Sequence, residues 1–387
     1  MTPSASRMLA RVSASALTVY LSACGGPSDV TGPELTSSEV AIIDLRWTVT
    51  PGNQDPFAYE PQEIGGVALS TDLALVYATS RTGVLEAYGL VDGALVWTAA
   101  LDEEPYSAPV VDGLDLFVGL SDGRIVCFDA RNGQQKWTYV ASSAVHTRVA
   151  FNDTLVAAVA ADNSLHVLRR SDGSPIARHA QNRPTDLTML GAAEVLFTET
   201  DLFAGFGDGR LGRFDHGGQL LWLANLSGEQ RRLVDVDSRP LVVGNLVIAS
   251  SYTGGVHAVR AGDGSIAWSV DQRGARSAIL TPDGTLMSVS SNGLILWIAP
   301  DTGQVLDSLE LDSDSLSEPV QVTPDMVAVA SRGQGMYLLS TRRPWIFGRF
   351  ESGSGFSSSP VSQQAQIAIL SDRGSLYMLD VATRPLR

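Results

Sequence analysis

One unit recurs along this chain, and it leaves few folds open. Its clearest copy is LFVGLSDGRIVCFDARNGQQKWTYV, Leu116 to Val140. An apolar run leads into a tight turn at Gly123. An alternating run follows, a second turn falls at Asn132–Gly133, and a Trp-led segment closes the unit. Alternation at period two marks half-buried strands, and Asp-Gly or Asn-Gly pairs supply the positive φ angles of hairpin turns. The first turn of successive copies falls at Gly83, Gly123, Asn163, Gly209, Gly255, Gly293, Gly335 and Gly374. Strands alone, repeated at a period of roughly 40 residues, mean a β-propeller with one four-stranded antiparallel blade per copy. The expected fold is therefore all-β, with eight blades. The first strand of each blade is the short apolar piece ahead of the run, such as SAPVV (Ser107 to Val111) and SRPLVV (Ser238 to Val243).

The last copy stops at Arg387 without a Trp-led strand. LRWTVT, Leu45 to Thr50, matches LVWTAA and QKWTYV, so the N-terminal strand is expected to complete the eighth blade and close the ring. Closure removes sheet edges and ties the two chain ends together. Trp47, Trp97, Trp137, Trp222 and Trp268 share one place in the fourth strand. A large flat ring there suits packing between neighbouring blades better than holding a ligand.

The first residues read as an export signal (1–23). Arg7 and Arg11 are followed by a modest apolar region and then by LSAC, Leu21 to Cys24. That tetrapeptide resembles a bacterial lipobox, with Cys24 as the acylated first residue of the mature chain. Residues 24–40 are rich in Gly, Pro, Ser and Thr and read as a flexible tether, leaving 41–387 for the propeller. Gly25 after the Cys is consistent with sorting to the outer membrane, facing the periplasm. Cys127 alone then remains, so no intrachain disulfide is expected, and its place in RIVCFDA reads as a buried small hydrophobe.

Composition closes several functional classes. The net charge is −15 with a single lysine, Lys136, and no basic run. Nucleic acid is not an expected partner, and lysine-based catalysis or a Walker loop is excluded. GLSDG, Gly119 to Gly123, matches the G-x-S-x-G nucleophile pattern, but it falls on a hairpin turn of the repeat. SGSGF, Ser352 to Phe356, is Gly-rich but opens no helix, which argues against a phosphate cradle. The five histidines share no metal-ligand spacing, and the Asp-Gly pairs lack the D-x-D-x-D-G run of a calcium loop. No enzyme activity, metal or cofactor is expected.

Turn spacing singles out one region. Most intervals are 38 to 42 residues, but Asn163 to Gly209 and Gly209 to Gly255 are both 46. The extra residues fall where a fourth strand crosses to the next blade, in RPTDLTMLGAAEV and GEQRRLVDVDSRP. The charged piece GEQRRLVD, with the VD that follows, reads as an addition the repeat does not require. All crossings emerge on one face, so two enlarged neighbours form one patch, and loops on a rigid scaffold are the usual seat of binding. The plain alternative is a pair of longer solvated loops.

The Trp-bearing eight-copy repeat is similar to that of the quinoprotein dehydrogenases, though the adjacent cysteine pair found in many of them is missing. A closer resemblance is to the BamB family of outer-membrane β-barrel assembly lipoproteins. It is carried by the lipobox, the tether, the stretch from Leu202 to Trp268 with its D-V-D, and Gly353 to Val361. The resemblance implies a non-enzymatic scaffold, monomeric within a larger complex. It would be anchored in the outer membrane by lipid and bound to the periplasmic POTRA region of the barrel-inserting BamA-type subunit. The family's contact loops fall by match on Asp235 and Asp237, and on LTMLG with Leu187 and Met189 at its apolar positions. Here the sequence departs: Leu190 stands where the family has arginine. Arg231 and Arg232, beside Leu233, are the nearest candidates for the missing charge. The competing reading is a periplasmic propeller that takes a glycan or peptide on its axis; a dehydrogenase comes behind it.

Overall fold

A computed structural model describes residues 39–53, 65–181, 193–227, 234–236, 238–313 and 315–385. Eight four-stranded antiparallel sheets follow one another around a ring. Blades 1 to 7 span residues 67–100, 110–140, 150–180, 196–225, 241–270, 275–310 and 320–350. Blade 8 combines 361–385 with 39–49. All eight turns read from the sequence have positive φ; Asn163 is the only one that is not glycine, at 68°. Asn is among the few residues besides glycine that visit that conformation, and here its Oδ1 accepts the Gly207 amide of blade 4 at 2.8 Å.

The N-terminal strand, Glu39–Val49, is longer than the Leu45–Thr50 expected. It pairs along its length with Leu376–Pro385, from Glu39 opposite Pro385 to Val49 opposite Leu376. Arg46 adds a two-pronged ion pair to Asp380, at 2.7 and 2.8 Å. The ring is thus closed by hydrogen bonds within one blade, between the two ends of the chain. The first strands are shorter than expected: Val110–Asp112 and Leu241–Val243.

Burial explains the sequence pattern. Second and third strands are sandwiched between neighbouring blades, so Leu155–Val159 and Met326–Ser331 are buried throughout. Fourth strands lie at the rim and alternate, as in Leu95–Ala100. The core is therefore a ring of packets between blades. One holds Tyr77, Leu85 and Ala87 of blade 1 against Leu116, Val118 and Phe128 of blade 2. Cys127 lies in the next packet, and burial pushes its thiol up to about 12.

The fourth-strand tryptophans join blades as their position suggested. The Nε1–H groups of Trp47, Trp97, Trp137, Trp222 and Trp268 donate to the carbonyls of Leu90, Ala130, Arg170, Ala261 and Pro300, each in the following blade, at 2.8–3.1 Å. Each ring lies against a glycine in the turn between that blade's third and fourth strands: Gly93, Gly133, Gly173, Gly264 and Gly303. Any Cβ there would meet the indole. Blade 6 reaches the same end differently. Asp307 holds the fourth-strand place, and Trp297, opposite it on the third strand, donates to the Thr341 carbonyl of blade 7 at 2.8 Å.

Candidate functional site: the crossing face

In a four-stranded blade the first strand begins and the fourth strand ends on the same face, so every crossing lies on that face. Ordinary crossings are short, such as 101–109, 141–149 and 271–274. Three are long: 181–195, 226–240 and 50–66. The first two are the neighbours flagged by turn spacing. The third escaped that reading because it joins blade 8 to blade 1, across the ring closure, and no turn-to-turn interval contains it. The ring order is the signal that would have found it.

Most of the expected contact residues lie in the long parts of these crossings. Leu187, Met189, Leu190, Arg231, Arg232, Leu233 and Asp237 are outside the described residues, as is Cys24. Asp235 is described, and it is fully buried. Its neighbours explain why. The Val236 amide donates to the Phe206 carbonyl of blade 4, and the Tyr252 amide of blade 5 donates to the Asp235 carbonyl. Ser251 Oγ donates to the Val234 carbonyl.

The same staple recurs around the ring. Val145 donates to Leu120 and Ala144 accepts from Ala161; Phe356 donates to Ser331 and Gly355 accepts from Asp372. Each pair ties a crossing to the turns between second and third strands of the two blades it joins. Residues 234–236 thus belong to the repeat, contrary to the reading that set GEQRRLVD and VD outside it. Val236, 0% exposed, fills the slot that Val145 and Phe356 fill elsewhere. The sequence did not show this because a valine among charges carries no period of its own.

The mouth of the central channel opens on this face. A cavity of about 310 Å³ there is lined by Arg148, Glu194, Arg239 and the first strands of several blades. Arg148 of blade 3 reaches Glu318 of blade 7, the blade opposite, at 3.4 Å. Arg239 pairs with Glu194 at 3.2 Å. Burial pushes the Glu194 carboxyl above the usual range, against the pull of Arg148 and Arg239. Burial works against the Arg148 cation, but Glu318 and Glu194 outweigh it and its pKa is raised. The charges here answer one another, which makes the set a tie across the axis.

The chemical decoys resolve simply. Ser121 Oγ donates to Glu103, at 3.3 Å, on a hairpin turn. His166 bonds Tyr139 and Ser142, and His257 bonds Ser269. Among the described residues no group of three or more His, Cys, Asp or Glu is placed to hold a metal ion.

A family model described as outer membrane protein assembly factor BamB matches residues 38–153, 81–308 and 253–383. Curated relatives of that name include one from Shewanella oneidensis, 23% identical over 93% of this chain and 95% of its own. Another, from Yersinia pestis, is 25% identical over 78% and 81%. The BamB crystal structure from Moraxella catarrhalis superimposes with a TM-score of 0.74 at 17% identity, covering 88% of this chain and 100% of that one. At that identity the likeness speaks for the fold. The sequence matches reach from one end of the ring to the other, and the chain belongs to the family of the outer membrane protein assembly factor BamB.

Proposed function

We propose that this chain is a non-enzymatic scaffold lipoprotein of the outer-membrane β-barrel assembly machinery. It is held in the outer membrane through Cys24, faces the periplasm, and docks on the POTRA region of a BamA-type barrel-inserting subunit. The observation that carries the docking reading is the pair of neighbouring long crossings, 181–195 and 226–240, on one face of a closed ring. A rigid ring presents such loops without paying to order the scaffold beneath them. The staple at Val236 divides the second loop into two jobs. Asp235 and Val236 anchor it, and the residues around Asp237 and Arg231–Leu233 are left to make contact. Leu187 and Met189 supply apolar area on the neighbouring crossing, the mixture an interface core and rim require. Membership of the family supports the assembly role.

The test is copurification from detergent-solubilised membranes. Asp237→Ala, and separately Leu187→Ala with Met189→Ala, are expected to leave thermal unfolding unchanged and to remove the POTRA-bearing barrel protein from the eluate. Asp235→Ala is a poor probe, since that side chain is fully buried and offers a partner no surface. Full retention of the barrel protein by both variants sinks the site assignment. Its absence from the wild-type eluate sinks the function.

A further inference from the structure

Three blades on from Val236, the crossing from blade 7 to blade 8 lies beside a cluster of arginines. It is the SGSGF loop, held by the Phe356 staple. A cavity of about 510 Å³ opens there, lined by Arg332, Arg349, Arg373 and the loop Glu351–Gly355. Three guanidinium groups face it against one carboxylate, Glu351, which pairs with Arg349. Asp372 stands beside it, its carboxylate accepting from the Ser357 amide at 2.7 Å. Arg332 Nε donates to Ser357 Oγ, and Arg349 also donates to Gln334. Arg373 makes no ion pair among the described residues. Among the described residues most basic side chains of this acidic protein pair with a carboxylate, such as Arg131 with Asp129 and Arg124 with Asp122.

The loop itself lines the cavity with glycine main chain. Gly353 and Gly355 have φ of 80° and 77°. Their amides donate to no group among the described residues, and a Cβ at Gly353 would meet open space. Gly355 is pressed against the Arg332 carbonyl, where any Cβ would collide. Backbone amides in such a conformation form an anion-binding concavity without any helix. Ser352 and Ser354 hydroxyls line the same rim.

We propose that this cavity binds a phosphate group. Counting Asp372, three guanidinium groups stand against two carboxylates, and the net positive charge suits a phosphate anion, whether free, monoester or diester. Guanidinium forks, hydroxyls and amides also suit a tetrahedral oxyanion with several acceptors. The proposal stands apart from the docking reading, since it uses other blades and other residues. The phosphate source is a soluble phosphate ester or a lipid headgroup, and the test distinguishes them.

The full chain carrying Cys24→Ser, which removes the anchor, is titrated with inorganic phosphate while the arginine Nε–H NMR signals are followed. The same protein is floated with phosphatidylglycerol-containing or purely phosphatidylcholine vesicles. Phosphate is expected to shift the signals of Arg332, Arg349 and Arg373. Arg373→Ala is expected to weaken binding about tenfold, Arg373→Lys to recover part of it, and Arg131→Ala to change nothing. Flotation with phosphatidylglycerol alone, lost in Arg373→Ala, assigns the site to a headgroup. Saturation by inorganic phosphate without flotation assigns it to a soluble ester. Binding of neither probe, or equal binding by Arg373→Ala with an unchanged melting temperature, overturns the proposal.

Discussion

The junction between blades 2 and 3 and the junction between blades 3 and 4 solve one packing problem in two ways. At the first, Trp137 fills the wedge. Its ring lies 5.9 Å from Phe117, its Nε1–H donates to the Arg170 carbonyl, and Gly173 lies against the indole. At the second, Ala177 holds the tryptophan's place and faces Gly218. The space is taken by Phe206 and Phe214 of blade 4, with His179 packed 5.0 Å from Phe214. Gly212 makes room for the Phe214 ring. The comparison shows that the fold demands a filled wedge, whereas the tryptophan clamp is optional: here the Gly207 amide donates to Asn163 Oδ1 and Gln181 donates to Asp208 instead. That junction is also the one spanned by the long crossing 181–195.

The largest effect is expected where the ring closes without a covalent link. Deleting residues 39–49 strips blade 8 of its outer strand and exposes the edge of Leu376–Pro385. Loss of a single cooperative transition in thermal circular dichroism is expected. An unchanged transition would show that closure contributes nothing. The next largest effect breaks the clamped junction. Trp137→Ala removes a ring only 8% exposed and leaves the Arg170 carbonyl without its donor. Urea unfolding should show a loss of about 3–5 kcal/mol. A much smaller loss would mean that blades 2 and 3 rely on the aliphatic packet alone.

A finer pair of variants separates ring from hydrogen bond. Trp297→Phe keeps an aromatic ring but orphans the Thr341 carbonyl at a buried site, for an expected cost of about 1–3 kcal/mol. Trp97→Phe does the same at a part-buried site, where water can replace the donor, and should cost about 1 kcal/mol or less beyond the lost area. Equal costs in urea titrations would remove burial as the deciding factor.

These junctions also show what was legible in the sequence. The turn glycines, the five fourth-strand tryptophans and the closing strand all lie on the repeat's own register, so alternation and spacing disclose them. Trp297 is off that register by one strand, and only the pairing with Asp307 shows it doing the same work. Phe206 and Phe214 replace a ring from the other side of the junction, which no linear pattern encodes. The docking loops were visible as excess length. Val236 was not visible as a staple, because its partners, Phe206 and the Ser251–Tyr252 pair, come from two different blades.

The smallest expected effect concerns how crossings are tied down. In blade 1 the third-strand Glu86 accepts the Gly52 amide of the entering crossing at 3.0 Å. In blade 3 the same task falls to His166, held by Ser142 of the entering crossing and by Tyr139, both at 3.0 Å. Burial lowers the His166 pKa, Arg178 lowers it further, and Asp162 opposes them. The folded protein therefore resists protonating this ring, while the unfolded chain takes the proton at its ordinary pKa of about 6.5. Between the two values the unfolded state binds more protons, so stability falls as pH drops through about 6.5 and levels off below the folded value. His146 and His257 are lowered by burial as well and add to the same slope. Urea midpoints between about pH 7.5 and 5.5, above most carboxylate titration, should decline for the wild type and decline less for His166→Gln. Parallel slopes for wild type and His166→Gln would mean that blade 3 holds its crossing without asking His166 to stay neutral.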